Sequence, residues 1–279
     1  MTLLLHIGDL HVKARTNAWT NRRSAALAKW IRRHYAGRTK PVLVFTGDLT
    51  ENGSEKEYAN VREILEPLRD ADYEMIFAPG NHDVGPLGNT FSTAAQNNFQ
   101  RNVIGDLMGV PEAKTSENRM RSFYPMVREL DDCLLVAIDS CHDERHVASG
   151  RVGEAQLEAL DRVLMTATKP VVALLHHHPF VHSRSLALDD SEDLMRSLSG
   201  HVDVLLFGHR HRSELCDPKK LKLQIRLIIA AGKTSKPSPS NNRYELREIV
   251  VGAGAPTTNK IPPFRLSWRK ERHRTTRPR

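Results

Sequence analysis

Cysteine is scarce in this chain: Cys133, Cys141 and Cys216 are the only three in 279 residues, and no two form a Cys-x-x-Cys pair. A disulfide-stapled scaffold and a thiolate zinc site are therefore not expected. The three read as small buried or half-buried thiols, and a reducing cytoplasm is the expected location. Long apolar runs are missing as well. None reaches the eighteen or so residues that a membrane-spanning helix needs. No basic segment followed by an apolar stretch precedes the first strand, which starts at Thr2, so no secretory leader is expected. Gly-x-Ser-x-Gly is absent, which removes support for an esterase triad. Gly232-Lys233-Thr234 looks like the end of a phosphate-binding loop, but that motif needs a glycine five residues upstream, and Leu227 stands there instead.

Charge is present but unevenly spread. The chain carries a net +8, yet residues 265–279 hold seven Arg or Lys against one acid, and the remaining 264 residues hold 34 bases and 32 acids. The body is close to neutral. The basic end can meet a polyanion such as nucleic acid, whereas a solvated terminus is the commoner outcome for such a segment.

Apolar spacing alternates between the strand and helix periods, which predicts an α/β fold. Strands are expected over 3–8, 42–46, 74–78, 171–175 and 202–207, and a hairpin over 122–129 and 133–139 turning at Asp131-Asp132. Helices are expected over 20–35, from Ser54 onward through a capping box with Pro67 near its end, near 91–108, over 154–167, and briefly over 190–199. Strand-like pieces follow at 222–230, 244–251 and 263–268. The segment 84–121 is long for a connection and is expected to shape a pocket. A single domain over 1–268 with a flexible basic tail over 269–279 accounts for these features.

Side chains that can ligate metal cluster where apolar runs end. Asp9 and His11 follow the first strand, Asp48 the second, and Asn81 and His82 the third. The triplet His176-His177-His178 follows Val171-Val172-Ala173-Leu174-Leu175. His209 and His211 follow the 202–207 run. A histidine triplet at the end of a buried strand costs stability unless something binds it. Carboxylate, amide and imidazole donors without thiolate suit Mn, Fe, Co, Zn or Ni. Seven donors exceed one tetrahedral ion and suffice for two if a carboxylate is shared. Two ions about 3.5–4 Å apart can stabilise the attacking and leaving oxygens of an in-line displacement at phosphorus, with a water between them activated toward hydroxide. One member of the triplet is the expected ligand: His176, the first residue after the apolar run, with His177 as the alternative. His177, His182 and Arg184 are candidates for contacting substrate phosphate.

The ordered motifs Asp9-x-His11, Gly47-Asp48-x-x-Glu51, Gly80-Asn81-His82-Asp83, the triplet, and Gly208-His209-x-His211 resemble the signature of the calcineurin-like metallophosphoesterase superfamily. The strings Gly47-Asp48-Leu49-Thr50-Glu51-Asn52-Gly53 and His176-His177-His178-Pro179 resemble most the bacterial class III cyclic-nucleotide phosphodiesterases. The resemblance implies a four-layer α/β/β/α sandwich and a site with two transition-metal ions (Mn, Fe, Zn or Co). It implies that Asp9, His11 and His211 hold the first ion, that Asn81, His176 and His209 hold the second, and that Asp48 bridges them. It further implies that His82 contacts the scissile phosphate and stabilises or protonates the leaving oxygen, with Glu51 orienting it. The activity implied is hydrolysis of a small phosphodiester, a 3′,5′-cyclic nucleotide being favoured. A nuclease or nucleic-acid phosphatase that uses the basic tail is the alternative, and a non-catalytic scaffold on the same fold a minor one. No membrane partner is expected. Should the tail grip a nucleic-acid backbone, with Trp268 stacking on a base, deleting 269–279 lowers DNA or RNA affinity and flattens its salt dependence. Equal affinity and slope in a binding titration would exclude that role.

Overall fold

The computed structural model describes residues 1–115, 119–142, 148–181, 183, 185–234 and 246–261. Eleven strands among them form two sheets. β1 (Thr2–Ile7), β2 (Val42–Thr46) and β3 (Met75–Ala78) run parallel, and β10 (Arg247–Val251) and β11 (Thr257–Lys260) extend them antiparallel, in the order β11-β10-β1-β2-β3. The second sheet has the order β4-β5-β6-β7-β9-β8. Its parallel centre is β5 (Leu134–Ala137), β6 (Val171–Leu174), β7 (Val204–Phe207) and β9 (Leu227–Ala230). Its edges, β4 (Met126–Glu129) and β8 (Glu214–Cys216), are antiparallel.

The period-two alternation of side chains explains the layering. Leu135, Ala137, Val172, Leu174, Val204, Leu206, Leu227 and Ile229 share one core with the first sheet. Their neighbours Val136, Ala173, Leu205 and Ile228 belong to a second core under α6 (Glu154–Thr166) and α7 (Ser191–Leu198). On the other side α1 (Trp19–His34) and α2 (Glu55–Arg69) cover the first sheet. The result is the expected α/β/β/α sandwich. Because the strands are buried on both faces, they read as nearly continuous apolar runs. Each fully buried leucine among them contributes about 1.5–3 kcal/mol.

Helix α1 buries Leu27, Ala28 and Ile31, while Trp30 and Ala26 lie half-buried at the margin. Helix α2 opens on the predicted capping box: Ser54 Oγ accepts from Glu57 N, and the Glu57 carboxylate accepts from Ser54 N. It runs through Pro67 to Arg69. That proline lies so near the helix end that only the final turn loses a hydrogen bond.

The segment after β3 holds the short helix α3 (Asn81–Val84), α4 (Thr93–Phe99), a wider π-helical stretch over Gln100–Leu107, and α5 (Glu112–Thr115). The expected single helix near 91–108 is thus two geometries in series; Met108 N donates to Val103 O, five residues back. Gly105 lies so near Lys114 that an added Cβ would be 2.6 Å from its Cγ. The hairpin closes as predicted, Leu130 N donating to Cys133 O across Asp131-Asp132. The expected strand at 263–268 and the tail lie outside the described residues.

Among the described residues no helix is long and apolar enough to cross a membrane.

Helix α2 is tied to the loop after β3 by Tyr58, whose hydroxyl donates to Asp83 O at 2.7 Å in a fully buried setting. Tyr58→Phe is expected to cost about 1–3 kcal/mol, the range for an orphaned buried polar group. A lower urea midpoint with an unchanged slope would register it; identical midpoints would assign the contact no net value.

Candidate metal centre

All five predicted clusters leave the C-terminal ends of parallel strands, where α/β sheets place their ligands. The chain turns abruptly there. Asp9 (φ 54°), His11 (48°), Asp48 (54°), His209 (71°) and His211 (57°) all take left-handed backbone, and they are five of the eight non-glycine residues with positive φ among those described. This geometry costs an L-residue about 1–2 kcal/mol. It is held in place by pairing that continues past the strands: His11 N donates to Asp48 O (2.9 Å) and Val12 N to Leu49 O (2.8 Å). Two glycines let the ends close in. A Cβ on Gly47 would lie 2.6 Å from His176 Nδ1, and one on Gly80 would lie 2.3 Å from Asp48 Oδ1.

Asp9, His11, Asp48 and His211 offer ligand atoms that all lie within 4.8 Å of one another. His11 Nε2 is 3.1 Å from His211 Nε2 and 3.4 Å from Asp48 Oδ2, and His211 Nε2 is 3.5 Å from Asp9 Oδ1. This group can coordinate a metal ion. On the other side of Asp48 a second set converges. His176 Nε2 is 3.4 Å from Asp48 Oδ1, 2.9 Å from Asn81 Oδ1 and 3.0 Å from His209 Nδ1, and His209 Nδ1 is 3.1 Å from Asn81 Oδ1. The two oxygens of Asp48 therefore face different sets.

Proton placement decides what these contacts are. His176 Nδ1 is 2.8 Å from Thr46 O, a pure acceptor, so it carries the proton and Nε2 presents a lone pair. Asn81 Nδ2 donates to Gly88 O at 2.7 Å, so the amide oxygen faces the cluster. Lone pairs of His176, Asn81 and Asp48 thus converge with no hydrogen of their own between them, and His209 Nε2 is buried without a hydrogen-bond partner. Electrostatics press the same way. Burial raises Asp9 well above the usual carboxylate range, and Asp48 adds to it. Burial also pushes Asp48 up, but the rings of His176, His11 and His82 pull it well below its usual value. They can do so only as cations, whereas burial lowers His176 and takes His209 and His211 down to about 3. A metal cation removes this conflict, because it keeps the carboxylates ionised and binds neutral imidazoles. The residues present fit such an ion.

His82 stands beside the first set, with its ring 4.7 Å from that of His11, edge to face. Its Nδ1 donates to the backbone oxygen of Glu51 at 2.8 Å, and its own N–H donates to Asp48 Oδ1 at 3.1 Å. The Glu51 side chain does not orient His82 as expected. Its carboxylate lies 3.4 Å from His11 Nδ1 and 3.7 Å from Lys13, and the His11 contact holds it down at about 2. The turn at Glu51 presents its carbonyl to one histidine and its carboxylate to the other.

Of the triplet, His176 meets the other donors. His177 is fully buried, with Nδ1 2.9 Å from Ser140 Oγ and Nε2 3.2 Å from Ala148 O. Both ring nitrogens are engaged away from the cluster, so the expected substrate contact finds no free nitrogen; the ring instead leans on His209, with centroids 4.7 Å apart. His178 points to Glu214, 3.4 Å away. His182 and Arg184 lie outside the described residues.

Two residues beside the cluster escaped the sequence reading of the site. Asp83 accepts from Thr50 N (2.9 Å), Thr50 Oγ1 (3.1 Å) and Gly80 N (3.0 Å), clipping the second and third loops together, and burial and Asp48 raise it to about 7. Lys233 lies near enough to Asp9 and His211 to act on both electrostatically. Its loop is locked to the first one by Gly8 N to Thr234 Oγ1 and Thr234 N to Gly8 O, each 2.9 Å. The Gly-Lys-Thr string had signalled only an incomplete phosphate loop.

A profile of the family described as calcineurin-like phosphoesterase matches residues 2–213. The chain belongs to that family. Its fold and metal-binding cluster are those of a metal-dependent phosphoesterase. The chain is 27% identical, over 219 residues, to a probable cyclic nucleotide phosphodiesterase of Rhodococcus erythropolis, covering 75% of this chain and 65% of that protein. It is also 27% identical to the Escherichia coli K12 3′,5′-cyclic adenosine monophosphate phosphodiesterase CpdA, covering 75% and 69%. It therefore spans about two thirds of the length of these curated relatives. Among solved structures it is similar in fold to a purple acid phosphatase from yellow lupin seeds, with a TM-score of 0.56 at 16% identity, covering 89% of this chain and 49% of that one.

Metal should stabilise the fold. Adding Mn²⁺ at a hundred times its dissociation constant is expected to contribute about 2.7 kcal/mol and raise the Tm of chelator-treated protein. Asp48→Asn keeps the shape but turns one of the two oxygens into an N–H₂ group. Metal affinity should fall by more than the roughly 10–100-fold seen when a mere supporting partner is lost. Thermal shift and metal content measure both; an Asn variant that binds Mn²⁺ as tightly as the wild type would refute the role given to Asp48.

Proposed function

We propose that this protein is a dinuclear phosphodiesterase with a 3′,5′-cyclic nucleotide as its favoured substrate. The observation that carries the reading is the Asp48 carboxylate, which presents one oxygen to each of two donor sets. In this reading Asp9, His11 and His211 would hold one ion and Asn81, His176 and His209 the other, with Asp48 as the donor shared between the two sets. The donor chemistry suits Mn, Fe, Zn or Co. When bound, the ions supply Lewis-acid polarisation of the phosphoryl oxygens and activation of water.

The chain's own groups do the rest. The His176 ring, held by Thr46 O, and the Asn81 amide, held by Gly88 O, keep their lone pairs in place, so little reorganisation accompanies the reaction. His82 is kept in one orientation by the Glu51 carbonyl. With Nδ1 so engaged, its Nε2 is the nitrogen left for substrate, and a proton carried on Nε2 passes to the departing ester oxygen. A cyclic nucleotide is supported by the names of the sequence relatives, among them a 3′,5′-cyclic-nucleotide phosphodiesterase of Nostoc. It is supported as well by the near neutrality of the body, which suits a small anion better than a long duplex.

Purified protein with Mn²⁺ is expected to hydrolyse bis-p-nitrophenyl phosphate and cAMP. His82→Ala should lower kcat by about 10²–10⁴-fold, the usual worth of a positioned acid or base, while leaving the metal content unchanged. Absence of turnover on both substrates with metals bound would sink the enzymatic reading, and turnover of the aryl ester without cAMP would sink the substrate alone.

A further inference from the structure

The loop over 85–89 contains a leucine in an unusual place. Leu87 has φ 57° and ψ 10°, the left-handed region, and the residue is 69% exposed. Neither feature stabilises the fold. Glycine or asparagine adopts that backbone at less cost, and an exposed leucine gains nothing from the core. Strain of this kind persists where the surroundings over-determine it, and it gathers at functional sites.

The surroundings here are specific. Leu87 N donates to Asn52 Oδ1 at 3.1 Å, and Asn52 is clamped in turn by Glu57, whose carboxylate accepts from Asn52 N (3.0 Å) and Asn52 Nδ2 (3.1 Å). Gly88 N donates to Gly85 O, closing the turn. On the inner side Gly88 lies flat against the site. A Cβ there would be 2.4 Å from Asn81 Nδ2 and 2.6 Å from His82 Nε2, and Gly88 O accepts the Asn81 amide. The strained leucine is thus one residue from the backbone that packs on His82, the group assigned to the leaving oxygen.

We propose that Leu87 is a specificity-determining residue: an apolar rim that covers the organic group of the ester where it passes His82. The assignment rests on the phosphodiesterase reading above. It makes Leu87 a contact for an aromatic or nucleobase-sized group and gives it no part in holding phosphate. It makes Asn52 a positioning residue, which fixes the strained turn without touching substrate. A phosphate with no organic group should be indifferent to both.

The test compares full-length wild type, Leu87→Asn and Leu87→Met, each loaded with Mn²⁺, by calorimetric titration with inorganic phosphate and with phenyl phosphate. Asparagine accepts left-handed backbone and removes the apolar surface; methionine restores that surface. Phenyl phosphate affinity is expected to fall about 5–30-fold in Leu87→Asn, the effect of losing part of a leucine's buried apolar surface, and to recover in Leu87→Met. Phosphate affinity should stay within about twofold in all three. The Tm of Leu87→Asn should rise by about 2–4 °C as the strain is relieved, which also reports that the variant is folded. An unchanged ratio of phenyl phosphate to phosphate affinity in Leu87→Asn overturns the rim and leaves the metal-centre reading standing. Failure of the loaded wild type to bind phosphate overturns that reading, and the rim with it.

Discussion

The structure depends on a concentration of lone pairs around one buried carboxylate. Asp48 is 1% exposed, faces imidazoles on both sides, and has a second buried carboxylate, Asp9, in the same pocket. In a low-dielectric interior such an arrangement is unfavourable in every protonation state: ionised carboxylates repel each other, and protonated imidazoles are desolvated. What makes it tolerable is rigidity. Four parallel strands of the second sheet and three of the first are sealed between apolar layers, which fixes the spacing of their C-terminal ends. The same rigidity imposes left-handed backbone on Asp9, His11, Asp48, His209 and His211. Strain and repulsion are therefore linked, and a cation that relieves the repulsion also holds the strained turns.

Small residues decide whether this concentration is geometrically possible. Gly47 and Gly80 stand where any side chain would collide with His176 or with the Asp48 carboxylate. Gly8 does the same at the first strand, where a Cβ would lie 2.7 Å from that of Ala231. Around them runs a layer of fixed carbonyls, Thr46 O for His176 and Glu51 O for His82, which selects one tautomer for each ring. Backbone oxygens suit this task because they accept and never donate, so Nδ1 carries a proton in both rings; in His176 this leaves the Nε2 lone pair for the cluster, and in His82 it leaves Nε2 for substrate. The site is preorganised less by salt bridges than by main chain that the sheets hold still.

Much of this was legible in sequence, for a definite reason. Strands buried on both faces give unbroken apolar runs, and polar residues abruptly following such runs mark the sheet edge where sites form. Asp9, His11, Asp48, Asn81, His209, His211 and the histidine triplet all follow such runs; the family resemblance narrows them to seven donors with His176 from the triplet, and the structure brings these seven together. The missing details depend on which atom of a residue points where. Glu51 was readable as an acid near the site, but spacing does not tell that its carbonyl, and not its carboxylate, meets His82. His177 was inseparable from His176 by type and burial, and only the alternation of strand β6 continued past Leu174 sends one ring inward and the next toward Ser140. Lys233 is brought in by a tertiary hydrogen-bond pair between Thr234 and Gly8, for which no local pattern exists. The π-helical stretch was invisible because its apolar periodicity scarcely differs from that of an α-helix over eight residues.

Reaction chemistry and substrate choice are separable in this architecture. The donors sit on strand ends and inherit their precision from two sheets, so little latitude remains in what they can do. In the proposed reading selectivity is left to loops such as the segment after α3, with its strained turn at Leu87. Loops of this kind can change without disturbing the sheets. Two proteins that share all seven donors can therefore hydrolyse different esters, and likeness in those donors argues for phosphate-ester chemistry more strongly than for any one nucleotide. In the proposed reading a substrate is argued from what borders His82, where the ester's organic part would leave the metal-binding residues.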